Sequence, residues 1–462
     1  MIDLSPFAKT LDGKPVAIFG LGLSGLSTVK ALRSADISVT AWDDNEEGRD
    51  KAKELGASIE DLTKIDLSGF ACLVLSPGVP YTFEPHGVVV NAQKYNLEII
   101  GDIEVLHRNG LPCKTIGITG TNGKSTTTAL MTHVLNECGL KVVMGGNIGK
   151  PVFDLDLNNV DVLVLEISSY QMDLCTTFTP DISMLLNITP DHLDRHGSMQ
   201  AYIDAKARIL GGEGIAFISV DDDFSQSLFD TNFCSGTRNV SPISVQSQII
   251  EGFFARDSTL YRNHHGEDQE IFDLSKLQTL KGVHNHQNIA FVYSAAKELN
   301  LNNDKIFQAL KSYPGLPHRQ YLVTQKNKIS YVNDSKATNA EAAAKALSSY
   351  QNIFWIIGGR AKEGGLKGLE IFKNNIQKTY VIGECAQEFG QWLMAQGFGF
   401  EINEVLDKAV EKAHQDAQEF VKETGKEAVV LLSPATASWD QFKSFEKRGD
   451  AFTDKVIELT AE

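Results

Sequence analysis

Lys124 and Ser125 close the run Gly117-Ile118-Thr119-Gly120-Thr121-Asn122-Gly123-Lys124-Ser125-Thr126. Glycines in such a turn free backbone N–H groups to curl around an anion, and a following helix adds its positive N-terminal end. The lysine supplies a mobile cation for β- and γ-phosphates, and the serine a hydroxyl for magnesium. The spacing departs from G-x-x-x-x-G-K-[ST], because Ile118 stands where the first glycine belongs, so the loop is a variant built as Gly-Thr-Asn-Gly-Lys-Ser-Thr. A β-branched apolar run, Thr115 to Thr119, precedes it. Leu130, Met131, Val134 and Leu135 follow at helical spacing. The expected ligand is a nucleoside triphosphate.

Other strand ends carry the remaining chemistry. Val162 to Leu165 is a buried-strand run that ends on Glu166, a carboxylate placed to hold Mg²⁺ beside the phosphate loop. The run Asn187-Ile188-Thr189-Pro190-Asp191-His192-Leu193-Asp194-Arg195-His196 packs two histidines and two aspartates together. His192 and His196 could share a helix face as zinc ligands, but no third ligand stands at a familiar spacing. A second-metal or water-shell role for His192 fits better than structural zinc. Farther on, Asn333 to Asn339, Gly358 to Lys362 and Ser433 to Phe442 each follow an apolar run. Lysines and hydroxyls at neighbouring strand ends suit a small substrate with more than one carboxylate. Near the N-terminus, Val16 to Phe19 leads into Gly20-Leu21-Gly22-Leu23-Ser24-Gly25, and Asp43 follows about 20 residues on. That pattern takes NAD, but it takes any nucleoside diphosphate equally well. Beside a separate triphosphate loop, a UDP-type ligand fits at least as well.

Elements that could position these residues follow one rhythm. Strand-like runs alternate with helical patterns, which predicts parallel α/β units. At 462 residues the chain exceeds a single core, and length suggests about three domains. The Pro/Gly break Tyr313-Pro314-Gly315-Leu316-Pro317 separates the third section. The predicted fold class is α/β with three domains: a Rossmann-like domain over 1–101, a central P-loop-type ATPase domain over 102–315, and a Rossmann-like domain over 316–462. A net charge of −16 argues against nucleic-acid and anionic-membrane partners, which need basic surfaces. Six scattered cysteines without a C-x-x-C pair suit a reducing compartment. The N-terminal Met-Ile-Asp-Leu-Ser-Pro-Phe shows neither the basic nor the apolar stretch of a leader, and no apolar run reaches the roughly 18 residues that span a bilayer. A cytoplasmic protein is expected.

Together these motifs resemble the Mur ligases of peptidoglycan synthesis, and most closely the member that adds D-glutamate. The resemblance covers essentially the whole chain. It includes Gly-Asp-Ile-Glu (101–104), the phosphate loop, Gly-Gly-Asn-Ile-Gly (145–149), Leu-Glu-Ile-Ser-Ser-Tyr-Gln (165–171) and Asp-His-Leu-Asp-Arg-His (191–196). It continues through His284-Asn285-His286-Gln287-Asn288, Leu-Pro-His-Arg (316–319), Asn-Asp-Ser-Lys-Ala-Thr-Asn (333–339), Ser-Pro-Ala-Thr-Ala-Ser (433–438) and Ser-Phe-Glu-Lys-Arg-Gly (444–449).

The resemblance implies an ATP-dependent amide ligase that joins D-glutamate to UDP-N-acetylmuramoyl-L-alanine through an acyl phosphate. It implies ATP contacts at Gly120, Thr121, Asn122, Gly123, Lys124, Ser125, Thr126, Asn288, Arg319 and Asp334. Leu23, Ser24, Gly25, Asp43, Gly78, Asn147 and His192 match positions around the UDP-sugar. Lys336, Thr338, Lys362, Ser438 and Phe445 match those around D-glutamate. Two Mg²⁺ sites would use Ser125, Glu166, His192 and Lys206, the last as a carbamate, with Lys124, His192 and Lys206 serving catalysis. Asp44-Asn45 stands where a hydroxyl or basic residue is expected at the uridine. The implied partners are these small molecules, and the implied state a monomer.

Three other readings compete. A folylpolyglutamate synthetase shares the phosphate loop but would not need the N-terminal glycine fingerprint. An NAD-dependent oxidoreductase leaves the phosphate loop unexplained. A switch or transport ATPase leaves the lysine-bearing strand ends unused.

Overall fold

In the computed structural model, described for residues 2–236, 238–277, 279–361 and 364–461, three sheets form where the apolar runs lie. The first holds β1 (Val16–Phe19), β2 (Val39–Trp42), β3 (Ser58–Ile59), β4 (Leu73–Leu75) and β5 (Ile99–Ile100). Its order is β3-β2-β1-β4-β5 and every pairing is parallel. The order reverses beside β1, so a crevice opens at the carboxyl ends of β1 and β4, where a doubly wound sheet takes its ligand.

The second sheet comprises β6 (Lys114–Thr119), β7 (Val142–Gly146), β8 (Val162–Glu166), β9 (Ile182–Leu185), β10 (Ile215–Ser219), β11 (Asn239–Ser244), β12 (Gly252–Arg256), β13 (Thr259–His264) and β14 (Glu267–Asp273). Its order is β14-β13-β12-β11-β10-β9-β6-β8-β7. Strands β7 to β12 pair in parallel through β6, whereas β12-β13-β14 form antiparallel hairpins. The first hairpin turns at Asp257 and Ser258, both with positive φ, as a tight two-residue hairpin turn requires.

The third sheet has β15 (Tyr321–Lys326), β16 (Ile329–Asn333), β17 (Ile353–Gly358), β18 (Ile376–Ile382), β19 (Phe400–Glu404) and β20 (Ala428–Leu432), ordered β15-β16-β20-β17-β18-β19. All but the β15–β16 pair are parallel. Both faces are buried: Trp355, Ile357, Val381 and Leu431 enter one core, and Phe354, Ile356, Tyr380 and Leu432 the other. That is why β17 and β20 read as continuous apolar runs and not as alternating ones.

The chain divides into two compact units. One contains residues 1–276 and 283–311 with the first two sheets; the other contains 277–282 and 312–462 with the third. No helix among the described residues is long and apolar enough to cross a membrane.

Candidate active site

The phosphate loop leaves β6 at Thr119 and enters the helix Lys124–Glu137. Gly123 has φ 87°, and a Cβ there would lie 2.9 Å from Oδ1 of Asn288, so glycine lets that asparagine close on the loop. The same Oδ1 accepts from Thr127 Oγ1 at 3.1 Å. Asn187 clamps the other side: its Oδ1 accepts from the Asn122 N–H at 2.8 Å, and its Nδ2 donates to the Asn122 carbonyl at 3.1 Å. Thr121 Oγ1 lies 2.9 Å from the Tyr202 hydroxyl. The loop is therefore preformed. Lys124 folds back, its Nζ donating to the carbonyls of Gly120 (2.8 Å) and Thr121 (2.9 Å). Ser125 is buried in the first helical turn.

Glu166 ends β8 beside this loop, since Ile118 of β6 pairs with it in register. Its side chain is buried, and Oε1 accepts from Asn147 Nδ2 at 2.8 Å. Oε2 is equally buried and has no hydrogen-bond partner among the described residues. A carboxylate oxygen shut away from water without a donor is costly, and a hard cation is the natural remedy. Glu166 and the Ser125 hydroxyl thus fit Mg²⁺.

His192 adopts φ 53°, a left-handed conformation that costs a non-glycine residue energy and clusters at functional sites. Its ring is half exposed, 5.1 Å from that of Tyr170. His196 is different. It is buried, with Nε2 2.9 Å from Ser169 Oγ and Nδ1 3.4 Å from an Asp173 oxygen. Burial, aided by the charge of Lys206, pushes its pKa down to about 4, while burial raises Asp173 to about 6. His196 is turned into the core toward Ser169 and Asp173, while the His192 ring is half exposed, and neither joins a cluster of metal-ligating side chains among the described residues.

Lys206 lies in the helix Met199–Ala207 and is fully buried. Its Nζ donates to the Gly120 carbonyl at 2.8 Å and sits 4.7 Å from the Tyr202 ring centroid. Burial first, and the neighbouring Lys124 charge second, hold its pKa well below the ordinary lysine range. Asp204, two residues before it, accepts from Gln200 Nε2 at 2.8 Å.

In the first sheet the glycine loop packs tightly. A Cβ on Gly25 would lie 1.9 Å from the Gly20 carbonyl oxygen, and one on Gly20 would lie 2.4 Å from Ser76 Cβ. Asp43 accepts from the Leu21 N–H with one oxygen and from the Asn45 N–H (2.8 Å) with the other. Ser24 Oγ donates to the buried Asp102 at 2.5 Å. Leu23, in contrast, is 84% exposed at the mouth of the loop, and Gly78 faces open space. Asn147 is tied to Glu166 through both its backbone N–H and its side chain. Two residues not anticipated lie alongside: Arg49, which stacks on Trp42 and donates to the Asp43 and Asp44 carbonyls, and His86, 3.2 Å from an Asp44 oxygen.

In the second unit the three polar strand ends meet. Asp334 follows β16, and its buried carboxyl accepts from Ser433 Oγ (2.8 Å) and the Gln320 N–H (3.1 Å). Burial raises its pKa to about 7. Arg319 precedes Gln320 in a turn closed by its N–H to the Leu316 carbonyl. The Lys336 ammonium lies 5.5 Å from the Phe445 ring centroid, so two of the residues assigned to D-glutamate are neighbours. Ser438 is buried one residue past Ala437, and Thr338 follows the Lys336 turn. Lys362 lies outside the described residues. The residue that joins these loops is Arg448. Fully buried, it donates to Ser335 (Oγ and carbonyl), Gly358, Thr436 and Ala437. The sequence marked Arg448 only as part of a motif, because nothing local shows which carbonyls a distant arginine will meet.

The sequence profile of the Mur ligase middle domain matches residues 118–296, spanning the phosphate loop, Glu166, His192, Lys206 and Asn288. The UDP-N-acetylmuramoylalanine–D-glutamate ligase of Rhizobium meliloti is 46% identical over 99% of this chain and 98% of its own length. The chain belongs to the Mur ligase family. Within that family it stands with the D-glutamate ligases and is an enzyme; the namesake from Phenylobacterium zucineum is 43% identical over 99% of this chain and 98% of its own. Solved Mur ligases share the fold at low identity. The UDP-N-acetylmuramate–alanine ligase of Thermotoga maritima superposes with a TM-score of 0.56 at 16% identity, covering 97% of this chain and all of that one. An Acinetobacter baumannii ligase for D-alanyl-D-alanine addition gives 0.58 at 13% identity, covering 99% and 98%. The three sheets match the three-domain plan of Mur ligases.

Proposed function

We propose that this Mur ligase joins D-glutamate to UDP-N-acetylmuramoyl-L-alanine in the cytoplasm, consuming ATP through an acyl phosphate. The observation that carries the mechanism is the unpartnered, buried Oε2 of Glu166 beside a preformed phosphate loop. It supports a site for a metal-bound triphosphate. Near-full-length identity to D-glutamate ligases supports the substrates.

In this reading Lys124, with the Gly120–Thr126 loop, Asn288, Arg319 and Asp334, binds ATP. Ser125 and Glu166 would hold one Mg²⁺, and His192 with a carbamate on Lys206 the second; bound there, the ions would neutralise charge on the transferring phosphoryl group. The free carboxylate of the L-alanyl group attacks the γ-phosphorus, and the bond to the ADP oxygen breaks. The D-glutamate amine then adds to the acyl carbon, loses a proton, and the tetrahedral intermediate expels phosphate. Leu23, Ser24, Gly25, Asp43, Gly78 and Asn147 serve the UDP-sugar. Lys336, Thr338, Lys362, Ser438 and Phe445 serve D-glutamate, with lysines offering point charges to its two carboxylates. The domains would run 1–101, 102–315 and 316–462.

The test is phosphate release over a panel of UDP-muramoyl precursors and amino acids. Release that requires both UDP-N-acetylmuramoyl-L-alanine and D-glutamate supports the reading. Release with neither substrate would make the chain a plain ATPase.

A further inference from the structure

We propose that Arg195 is a positioning residue of the UDP-sugar site, pinning the Ser76–Val79 turn to the short helix that follows His192. The inference rests on the functional reading above, because it takes Gly78 of that turn to face the UDP-sugar.

Arg195 lies in the helix Leu193–His196, three residues after His192. One amine of its guanidinium donates to the carbonyl of Val79 and, at 3.3 Å, to that of Pro77. The two acceptors flank Gly78, so the arginine grips the backbone on both sides of the residue that faces open space. Its planar face lies 5.2 Å from the Tyr170 ring centroid, which fixes the guanidinium from the other side. The remaining amine is buried and has no hydrogen-bond partner among the described residues. A second contact holds the same two segments together. Gly197 has φ 77°, and a Cβ there would lie 2.5 Å from the Phe83 ring, so the chain beyond the turn also packs against the end of this helix. The turn in turn backs the glycine loop, since Gly20 meets Ser76.

One guanidinium therefore links the carboxyl end of β4 to the segment bearing His192. The two belong to sheets far apart in sequence, and among the described contacts nothing else charged spans this pair of carbonyls. Lysine could reach one carbonyl but could not lie flat on Tyr170. Loss of a charged hydrogen bond of this kind loosens the turn, which weakens UDP-sugar binding on the order of ten- to a hundredfold.

Arg195→Met and Arg195→Lys test this through calorimetry with UDP-N-acetylmuramoyl-L-alanine alone, together with KM values for all three substrates. The expected result for Arg195→Met is a selective rise in Kd and KM for the UDP-sugar, with the KM for D-glutamate and ATP little changed. Arg195→Lys should recover part of the loss. A folded Arg195→Met enzyme that binds the UDP-sugar as tightly as the parent overturns the proposal. So does a rise in all three KM values together, the mark of a general structural role. If Arg195→Met does not fold, the same two outcomes are read on Arg195→Lys. A parent enzyme that turns over but binds no UDP-sugar would overturn the functional reading itself.

Discussion

Lys124 and Lys206 share one acceptor: each Nζ lies 2.8 Å from the carbonyl oxygen of Gly120. Lys206 is the fully buried one of the pair, so burial first, and the Lys124 charge second, hold its pKa well below the ordinary lysine range. A neutral amine is the form that adds carbon dioxide.

Lys206→Ala should therefore be nearly inactive and partly rescued by short carboxylic acids, which refill the missing oxygens. Carbon-13 NMR with labelled bicarbonate should show a carbamate signal in the parent that is absent from the variant. An active Lys206→Ala enzyme would end the carbamate assignment.

Glu166→Gln keeps shape but puts an amide where the unpartnered oxygen stands. Turnover should fall on the order of 10²–10³, as for loss of one preorganised charge at a phosphoryl-transfer site. The Mg²⁺ concentration for half-maximal activity should rise as well. Phosphate release titrated against Mg²⁺ checks both, and an unchanged Mg²⁺ dependence would remove Glu166 from the metal site.

Asp334 is a carboxyl whose folded pKa is raised, from 3.8 to about 7, by burial. Between those values the folded state binds more protons than the unfolded state at this position. Its contribution to stability is thus present below about pH 4 and is lost as pH rises to about 7. Asp334→Asn has no such titration. The melting temperature of the parent relative to this variant should fall across that window and level off above it; a constant difference would contradict the buried, protonatable carboxyl.

Arg448→Met removes a donor from the carbonyls of Ser335, Gly358 and Thr436, and one of two from that of Ala437, which keeps the Arg360 N–H. The cost is about 3 kcal/mol or more, since each buried orphan is expensive. Chemical denaturation measures it. Because those carbonyls lie on the three loops assigned to D-glutamate, the KM for D-glutamate should rise more than that for the UDP-sugar, with Arg448→Lys intermediate.

Much of this protein was legible from local pattern. Strands at Val16–Phe19, Val162–Glu166, Ile353–Gly358 and Ala428–Leu432 appear where apolar runs stand, because a strand buried on both faces needs nothing but apolar side chains. The phosphate loop announced itself through glycines at positions that require positive φ, as Gly123 does. The hairpins β12-β13-β14 went unread, although Asp257-Ser258 marks their first turn, because polar edge strands such as Glu267–Asp273 carry no apolar run. Glu166 was a candidate from its place at a strand end beside the phosphate loop, and Lys206 from the family resemblance. Tertiary structure alone decided what surrounds them. The pKa of Lys206 falls well below the ordinary lysine range because burial first, and the Lys124 charge second, disfavour its ammonium inside the core, where it meets Gly120, 86 residues away in sequence. Arg448 reaches Ser335 across 113 residues, and Arg195 reaches Pro77 across 118. Short-range spacing sets which backbone conformations are allowed, whereas burial and partner choice arise only when distant segments exclude water together.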